Sequence, residues 1–394
     1  MPHHAIAIPK STIAAVKVAV VHDWLDTWRG GESALAEILN LYPDADLFAL
    51  VDFLSDADRQ RLHGKRATTS FLQRLPLAPA RFRLLLPWFP RAIESLDVSD
   101  YDLVISSSHA VAKGARTRPE QLHICYCYTP MRYAWDLRDQ YLKQTRLDRG
   151  VRGVIARRTL ARLSEWDRAA SERVDHFVAI SFHIADRIRR SYARESTVIY
   201  PPVAIEPPTS LPSRTATYIT VSQLVPYKRV DLLIEAFRRL PERELVIVGE
   251  GPEHSRLVAS APPNTRFVGR VPDAERNRWL ASARAFVFAA EEDFGIAPLE
   301  AQAFGTPVIA YAGGASRETI AGLDQTAPTG VLFDEQSVAA LVEAIQQFEH
   351  YAERIDPDAC RANARRFEAA RFRREFRAFI DAHLSAGGTP MRTR

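Results

Sequence analysis

Glu292-Asp-Phe-Gly-Ile-Ala-Pro-Leu-Glu300 sets two glutamates eight positions apart around a glycine and a proline. The run before it, Ala285-Phe-Val-Phe-Ala-Ala290, is apolar and aromatic, which predicts a buried strand. Pro298 suits the first turn of a helix, where its missing N–H costs nothing. Pro307 and the apolar Val308-Ile-Ala310 then begin another strand. Glu292 is therefore expected on a loop leaving a strand, and Glu300 in the first turn of the next helix. Gly295 lets backbone N–H groups approach a ligand closely, and a helix N-terminus favours an anion such as phosphate. Ionised carboxylates only accept hydrogen bonds, which suits the hydroxyls of a sugar and a ribose. The same pair also fits a solvated glutamate and a first-turn glutamate that complements the helix dipole. Alone, it leaves both readings open.

On either side of this stretch, strand and helix patterns alternate. The first block opens with the strand Lys17-Val-Ala-Val-Val-His22, a polar loop with glycines, and a helix over 32–41. Further strands fall at 47–51, 103–106, 122–128 and 176–180, with a long basic helical stretch over 149–174. A proline-rich joint, Tyr200-Pro-Pro-Val-Ala-Ile-Glu-Pro-Pro208, precedes a second block, whose strands begin near Tyr218, Leu245, Phe267, Ala285, Val308 and Val331. Such alternation argues for an α/β chain with parallel sheets covered by helices. The expected division is an N-terminal domain over 1–204, a linker over 205–215 and a C-terminal domain over 216–368. A final helix over 369–385 follows.

More segments bear on chemistry. His109, in Ser106-Ser-Ser-His-Ala110, sits just past a strand, where ligands of open α/β sheets are held. Trp28-Arg-Gly-Gly-Glu-Ser33 places Gly30 and Gly31 at a helix start, able to offer N–H groups to an anion. Lys228, between a strand and a helix, can neutralise a diphosphate. Val221-Ser-Gln-Leu-Val-Pro-Tyr-Lys-Arg-Val-Asp-Leu-Leu-Ile-Glu-Ala-Phe237 contains it. Leu245-Val-Ile-Val-Gly-Glu-Gly-Pro252, Phe267-Val-Gly-Arg-Val271 and Tyr126-Cys-Tyr-Thr-Pro-Met-Arg-Tyr-Ala-Trp135 complete the set.

In this order, these segments and the Glu292/Glu300 pair resemble the retaining glycosyltransferases of family 4. The Tyr126–Trp135 segment resembles a mannosyltransferase branch that makes O-antigens and exopolysaccharides. The resemblance implies a GT-B architecture, with two Rossmann-like domains whose parallel sheets face each other across a cleft. The N-terminal domain would bind acceptor and the C-terminal domain nucleotide sugar, and the last helix would pack back on the former. It implies transfer of a hexose, mannose from GDP-mannose, to a lipid-linked oligosaccharide in surface polysaccharide synthesis. The nucleotide sugar is a co-substrate, and no cofactor or metal is expected. His109, Lys228 and Glu292 would be catalytic. Gly30, Gly31, Gln223, Arg229, Arg270, Val271, Phe294, Gly295, Ile296 and Glu300 would bind donor, and Tyr128, Arg132 and Tyr133 acceptor, with Trp135 a further sugar-stacking ring. Two positions depart from the family. Gln223 stands where an arginine is usual, leaving Arg229 to compensate, and Tyr128 replaces a histidine.

Other classes fit less well. A different hexose donor, an epimerase or phosphorylase on the same architecture, and a non-catalytic sugar-nucleotide sensor are the nearest alternatives. A dinucleotide-dependent dehydrogenase is disfavoured, because Gly249-Glu-Gly251 lacks the third glycine of that fingerprint. Four Asp-x-Asp pairs, at 44/46, 56/58, 100/102 and 356/358, do not follow buried strands as a nucleotide–metal site requires.

Composition is that of ordinary globular material, 46% hydrophobic and 25% charged. Three cysteines, Cys125, Cys127 and Cys360, make no disulfide framework and point to a reducing, cytoplasmic setting. No segment approaches the roughly 20 apolar residues of a membrane span, and the run from Ile13 to Val21 reads as a first strand. The net charge of +4 conceals a basic segment over 59–91, with eight Lys/Arg and no Asp or Glu. Within it, Arg81-Phe-Arg-Leu-Leu-Leu-Pro-Trp-Phe-Pro-Arg91 suits either an anionic membrane surface on the inner face of the cell membrane or a helix with one core-facing side. No nucleic-acid motif accompanies the charge.

Overall fold

A computed structural model describes residues 16–386, apart from 77, 136–137, 145–146 and 204–211. Two sheets organise it. The first contains β1 (Val18–His22), β2 (Asp46–Ala49), β3 (Thr68–Thr69), β4 (Leu103–Ser108), β5 (Leu122–Cys127), β6 (His176–Ala179) and β7 (Ser196–Val198), in the order β3-β2-β1-β4-β5-β6-β7. The second contains β8 (Tyr218–Val221), β9 (Leu245–Val248), β10 (Thr265–Gly269), β11 (Ala285–Phe288), β12 (Val308–Tyr311) and β13 (Gly330–Phe333), in the order β10-β9-β8-β11-β12-β13. Among the described residues every pairing given for these strands is parallel. The central strands β1, β9 and β11 are buried along their whole length. Helices on both faces of a parallel sheet demand such continuous apolar runs.

Both sheets repeat one topological event. The chain walks outward from its first strand, then returns to lie on that strand's other side. The reversal falls between β1 and β4, where His22 is level with Ser107, and between β8 and β11, where Tyr218 is level with Ala285. Loops leaving the C-terminal ends of these four strands diverge there and leave a crevice, the place where open α/β sheets hold ligands.

The chain folds into two compact units. One comprises residues up to Val178, Arg190–Ser196 and the chain from Ala378; the other comprises Ala179–Arg189 and Thr197–Arg377. The chain thus passes between units more often than the expected linker over 205–215 and returning last helix require, because Ala179–Arg189 belongs to the second unit. The physical reason lies in the helix Phe182–Tyr192. Its first amides, of Phe182 and His183, donate to the Glu318 carboxylate at 2.8 and 2.9 Å. Most of the expected linker, and the beginning of the apolar run at Ile13, lie outside the described residues. The final helix is Ala369–Ala386. Its Arg371 donates to the Tyr200 carbonyl of the second unit, and its His383 ring lies 3.9 Å from His176 in the first.

Three local expectations are corrected. The first helix is Gly30–Leu41, two residues longer than expected, because Glu32 reaches back to accept from the Arg29 N–H at 2.8 Å and closes the helix start. The helix after the glutamate stretch is Ile296–Ala303, so Glu300 lies beyond its first turn. Residues 81–91 form no single helix: a 3₁₀ segment, Phe82–Trp88, holds Pro87 and gives way to the helix Phe89–Glu94, whose first turn accommodates Pro90. Among the described residues no helix is long and apolar enough to cross a membrane.

Inside the first unit lies a buried ionic centre. Lys113 and Asp167 are both fully buried and pair at 2.5 Å. Asp167 also accepts from Trp135 Nε1 at 2.9 Å and Tyr192 OH at 2.6 Å, and Lys113 donates to the Ala110 carbonyl at 2.6 Å. Burial alone would lower the lysine pKa, but the Asp167 carboxylate more than reverses this, and the ammonium is favoured. Asp167→Ala strands that cation in the core. The expected loss is about 3–5 kcal/mol of unfolding free energy in urea, and a loss below about 1 kcal/mol would show the pair to be dispensable.

Candidate functional site

In the second unit the crevice is built from the loops after β8 and β11. After β8 the chain forms the 3₁₀ turn Pro226–Lys228 and enters the helix Val230–Arg238 through Arg229, which is left-handed at φ 52°. Two glycines make room for this turn. A Cβ at Gly249 would sit 1.9 Å from the Ser222 carbonyl oxygen, and one at Gly251 2.3 Å from that of Leu224. Gly249-Glu-Gly251 therefore lets one loop lie on another, and the Glu250 carbonyl accepts from the Leu224 N–H at 2.9 Å.

The turn aims Lys228 at Glu292. The two side chains form an ion pair, each about one-fifth exposed. Glu292 itself is gripped through its backbone: its carbonyl accepts from the Ala315 N–H at 2.9 Å. Gly314, at φ +65°, lies so close that a Cβ would come within 2.1 Å of that carbonyl oxygen. Next along, Ser181 Oγ donates to the Asp293 carbonyl at 2.6 Å and Arg187 to its carboxylate at 2.9 Å. The glutamate is thus placed by a loop held from two sides.

Phe294 is buried against Tyr200 and Phe367, with ring centroids at 5.9 and 5.5 Å, so only its backbone is available to a ligand. Gly295, at φ +84°, caps the helix that starts at Ile296, and the first amides of a helix have no internal acceptor. Glu300 faces Arg276 at 3.5 Å. Burial raises its pKa, Arg276 opposes the rise and Asp273 adds to it. Arg270 is exposed and Val271 partly buried in the turn between β10 and the helix Asp273–Ser282 that carries Arg276. Gln223 is exposed, while Arg229 is turned toward Asp231 and Gln336, both at 3.4 Å.

In the first unit the centre is a residue the sequence reading missed. Asp23, fully buried just past β1, accepts from the backbone N–H groups of His109, Ala110, Val111 and Ala112 at 2.6, 3.0, 2.6 and 2.6 Å. It also pairs with His109 Nδ1 at 2.9 Å. Burial would raise the carboxyl pKa, but the charge and hydrogen bonds of His109 hold it well below the ordinary range. For His109, burial lowers the pKa and the Asp23 charge outweighs it, so the imidazolium is favoured. The ring stays about one-third exposed, packed edge-on to Trp24 at 4.5 Å.

Beside it a relay runs beneath the glycine loop. His22 Nδ1 meets Ser107 Oγ at 3.0 Å, Ser107 Oγ meets Tyr128 OH at 2.9 Å, and Tyr128 OH donates to the Gly31 carbonyl at 2.9 Å. Gly30, Gly31, His109 and Tyr128 are therefore brought together, but the Tyr128 hydroxyl is directed at the loop. Tyr133 stacks near Tyr141 at 5.7 Å, with its hydroxyl buried, and Arg132 is half-buried. Trp135, expected to stack on a sugar, is anchored by its Nε1 on Asp167 and is partly buried. Acidic residues of the Asp-x-Asp pairs have local work: Asp46 accepts from Tyr101 OH, Asp102 from the Lys17 N–H, and Asp356 caps a helix. Among the described residues no three His, Cys, Asp or Glu side chains cluster so as to hold a metal ion.

Asp23 was within reach of the strand-end argument that found His109, since it directly follows the buried run ending at His22. Arg276 carries no such signal, being one of several charges in Asp273-Ala-Glu-Arg-Asn-Arg278.

Residues 204–367 match the family described as "Glycosyl transferases group 1". Over 139 residues the chain is 35% identical to a GDP-mannose-dependent monoacylated alpha-(1-6)-phosphatidylinositol monomannoside mannosyltransferase of Corynebacterium glutamicum, covering 32% of this chain and 35% of that one. Over 144 residues it is 33% identical to a GDP-mannose-dependent alpha-(1-6)-phosphatidylinositol monomannoside mannosyltransferase of Mycolicibacterium smegmatis, covering 32% and 37%. The chain thus spans about a third of the length of these curated relatives. Among solved structures it is similar to a sucrose-phosphate synthase from Thermosynechococcus elongatus (TM-score 0.66, 17% identity, 94% of this chain and 100% of that). The HepE protein of Anabaena in complex with UDP gives a TM-score of 0.64 at 16% identity, covering 93% and 100%. At such identities the likeness is one of fold, and the fold is GT-B.

An imidazole whose pKa rises on folding adds stability below its unfolded value, and that stability is lost as pH climbs through the raised folded value. Wild type should therefore exceed His109→Ala in melting temperature most at about pH 5.5, with the gap narrowing as pH rises past the ordinary histidine range. A gap independent of pH would remove the ion pair with Asp23. Gly314→Ala forces both a left-handed alanine and a clash with the Glu292 carbonyl. It should cost about 1–3 kcal/mol in urea unfolding, and an unchanged midpoint would show that the Glu292 loop is not held there.

Proposed function

We propose that the chain is a retaining glycosyltransferase that moves a hexose, mannose from GDP-mannose, to a lipid-linked glycan. The observation carrying this reading is the Lys228–Glu292 ion pair beside the Gly295-capped helix start at the reversal point of the second sheet. There a cation, free amides and an acceptor carboxylate lie together, as a sugar diphosphate requires. The GDP-mannose dependence in the names of the Corynebacterium and Mycolicibacterium relatives supports the choice of donor.

In the proposed transfer, the bond from the anomeric carbon to the diphosphate breaks and an acceptor hydroxyl bonds to that carbon, its proton passing to the departing phosphate. The protein's task is to stabilise charge on the leaving group. Lys228 does so by exchanging Glu292 for a phosphate oxygen, together with the amides at Phe294, Gly295 and Ile296 and the dipole of the helix they begin. Glu292, released, accepts from sugar hydroxyls. Glu300 accepts from the ribose, and Arg270 and Val271 border the base. Gly30 and Gly31 offer amides to the donor, His109 contacts the transferred sugar, and Arg132 and Tyr133 contact the acceptor. Arg229, engaged with Asp231 and Gln336, has a bracing role, and Gln223 supplies at most an uncharged contact.

A lipid-linked acceptor implies work at the inner face of the cell membrane. Residues 59–91 suit this: Leu84 and Trp88 are 72% and 52% exposed, while Phe82 and Phe89 anchor the segment in the core.

Steady-state kinetics with GDP-mannose, and product analysis against UDP-glucose, test the reading; no turnover with either sugar would sink it. Glu300→Gln should weaken GDP binding by about 1.5–3 kcal/mol, and unchanged affinity would remove the ribose assignment. Lys228→Ala should lower turnover by roughly 10²–10³-fold, with Arg229→Ala affected far less. The reverse ranking would transfer the phosphate role to Arg229.

A further inference from the structure

The helix Gly150–Ser171 is apolar on two sides. Leu160 and Leu163 face inward, 2% and 3% exposed within the core of the first unit. On the other side Val151, Val154 and Ile155 are 77%, 42% and 59% exposed. Their spacing of three and four residues makes them neighbours on one helix face. The same row continues into the exposed Arg158 and Arg162, and the exposed Arg152 flanks it. From Arg149 to Ser164 the sequence holds five arginines and no acidic residue. Arg149 lies 3.6 Å from Asp148, and Arg157 donates to the Asp148 carbonyl. Arg152, Arg158 and Arg162 have no acidic partner among the described residues.

A water-facing helix side is ordinarily polar, and clustered exposed apolar side chains mark an interaction surface. The charge pattern selects the occupant. A second copy meeting this face about a two-fold axis would bring two sets of guanidinium groups into one interface without an acidic partner from this row. A nucleic-acid backbone would satisfy the arginines and leave the valines and isoleucine nothing to contact. Anionic lipid satisfies both, with acyl chains for the apolar triad and headgroups for the guanidinium groups.

We propose that Val151, Val154 and Ile155, with Arg152, Arg158 and Arg162, seat the first unit on the interface of an anionic bilayer, the helix lying along the surface. This site is separate from residues 59–91 and rests on no step of the proposed transfer.

Co-sedimentation of the full chain with vesicles of phosphatidylcholine containing roughly one-third phosphatidylglycerol tests it, against vesicles of phosphatidylcholine alone. Wild type should partition to the anionic vesicles. The variant Arg152→Gln/Arg158→Gln/Arg162→Gln should bind on the order of a hundredfold more weakly at low salt and approach wild type at about 1 M salt, where screening is nearly complete. The variant Val151→Ser/Val154→Ser/Ile155→Ser should bind about tenfold more weakly at both salt levels. A thermal shift with GDP equal to wild type shows that each variant is folded, and it reports on the donor site independently of lipid. Vesicle binding equal to wild type in both variants overturns the proposal. So does binding that is lost only on changing Leu84 and Trp88, or a solution dimer that the serine variant converts to monomer.

Discussion

In a parallel sheet every strand ends on the same edge, and this constraint arranges everything else in the molecule. Loops that leave neighbouring strands toward opposite faces must part, and each of the two sheets has one place where they do. Polar groups can be drawn out of water there only if the loops themselves satisfy them. Asp23 shows how: four backbone amides and a histidine surround a carboxylate with no solvent contact. Burial of the charge and position of the histidine are thus one arrangement. Removing Asp23 would leave four amides without their acceptor, whereas removing His109 would leave the carboxylate its four amide donors. The second sheet uses a different device at the equivalent place, gripping the backbone of Glu292 and leaving its side chain to meet Lys228.

Much of this was legible in the residues. Unbroken apolar runs such as Ala285-Phe-Val-Phe288 have one simple explanation, a strand covered on both faces, and their alternation with helices leads to the two sheets. Strand-end residues such as His109 could be named because position in a parallel sheet constrains where side chains point. What escaped has physical causes. Glu300 was placed a turn too early because a glycine in the left-handed region can start a helix earlier than a proline suggests. Trp135 and Tyr128 look like ligand-facing aromatics, but their polar atoms answer buried partners, Asp167 and Gly31, that are distant in sequence. Pro87 breaks a stretch whose composition alone suggests a helix, and Pro90 suits the start of a new one.

The first unit is more polar inside than its composition suggests. Lys113, Asp167, Tyr192 and Trp135 form one hydrogen-bonded centre joining the loop after β4 to the helix Gly150–Ser171. An apolar filling of equal volume could be as stable. The polar version differs in permitting few alternative packings, since Lys113, Trp135 and Tyr192 all converge on the one Asp167 carboxylate. The His109 loop is consequently held in register from two directions, by Asp23 at its amides and by Lys113 at the Ala110 carbonyl.

The pairing of Lys228 with Glu292 gives the crevice a logic of conjunction. Each side chain occupies the other, so neither is an open invitation to the small ions of the surroundings. An inorganic anion that took the lysine would part it from the glutamate, and a neutral sugar that took the glutamate would part it from the lysine. The proposed sugar diphosphate presents an anion and hydroxyl donors on one frame, so it could part the two without leaving either unmatched. For the ligand proposed above, the ion pair thus sets a condition on binding: both of its charges must find a new partner in the same event.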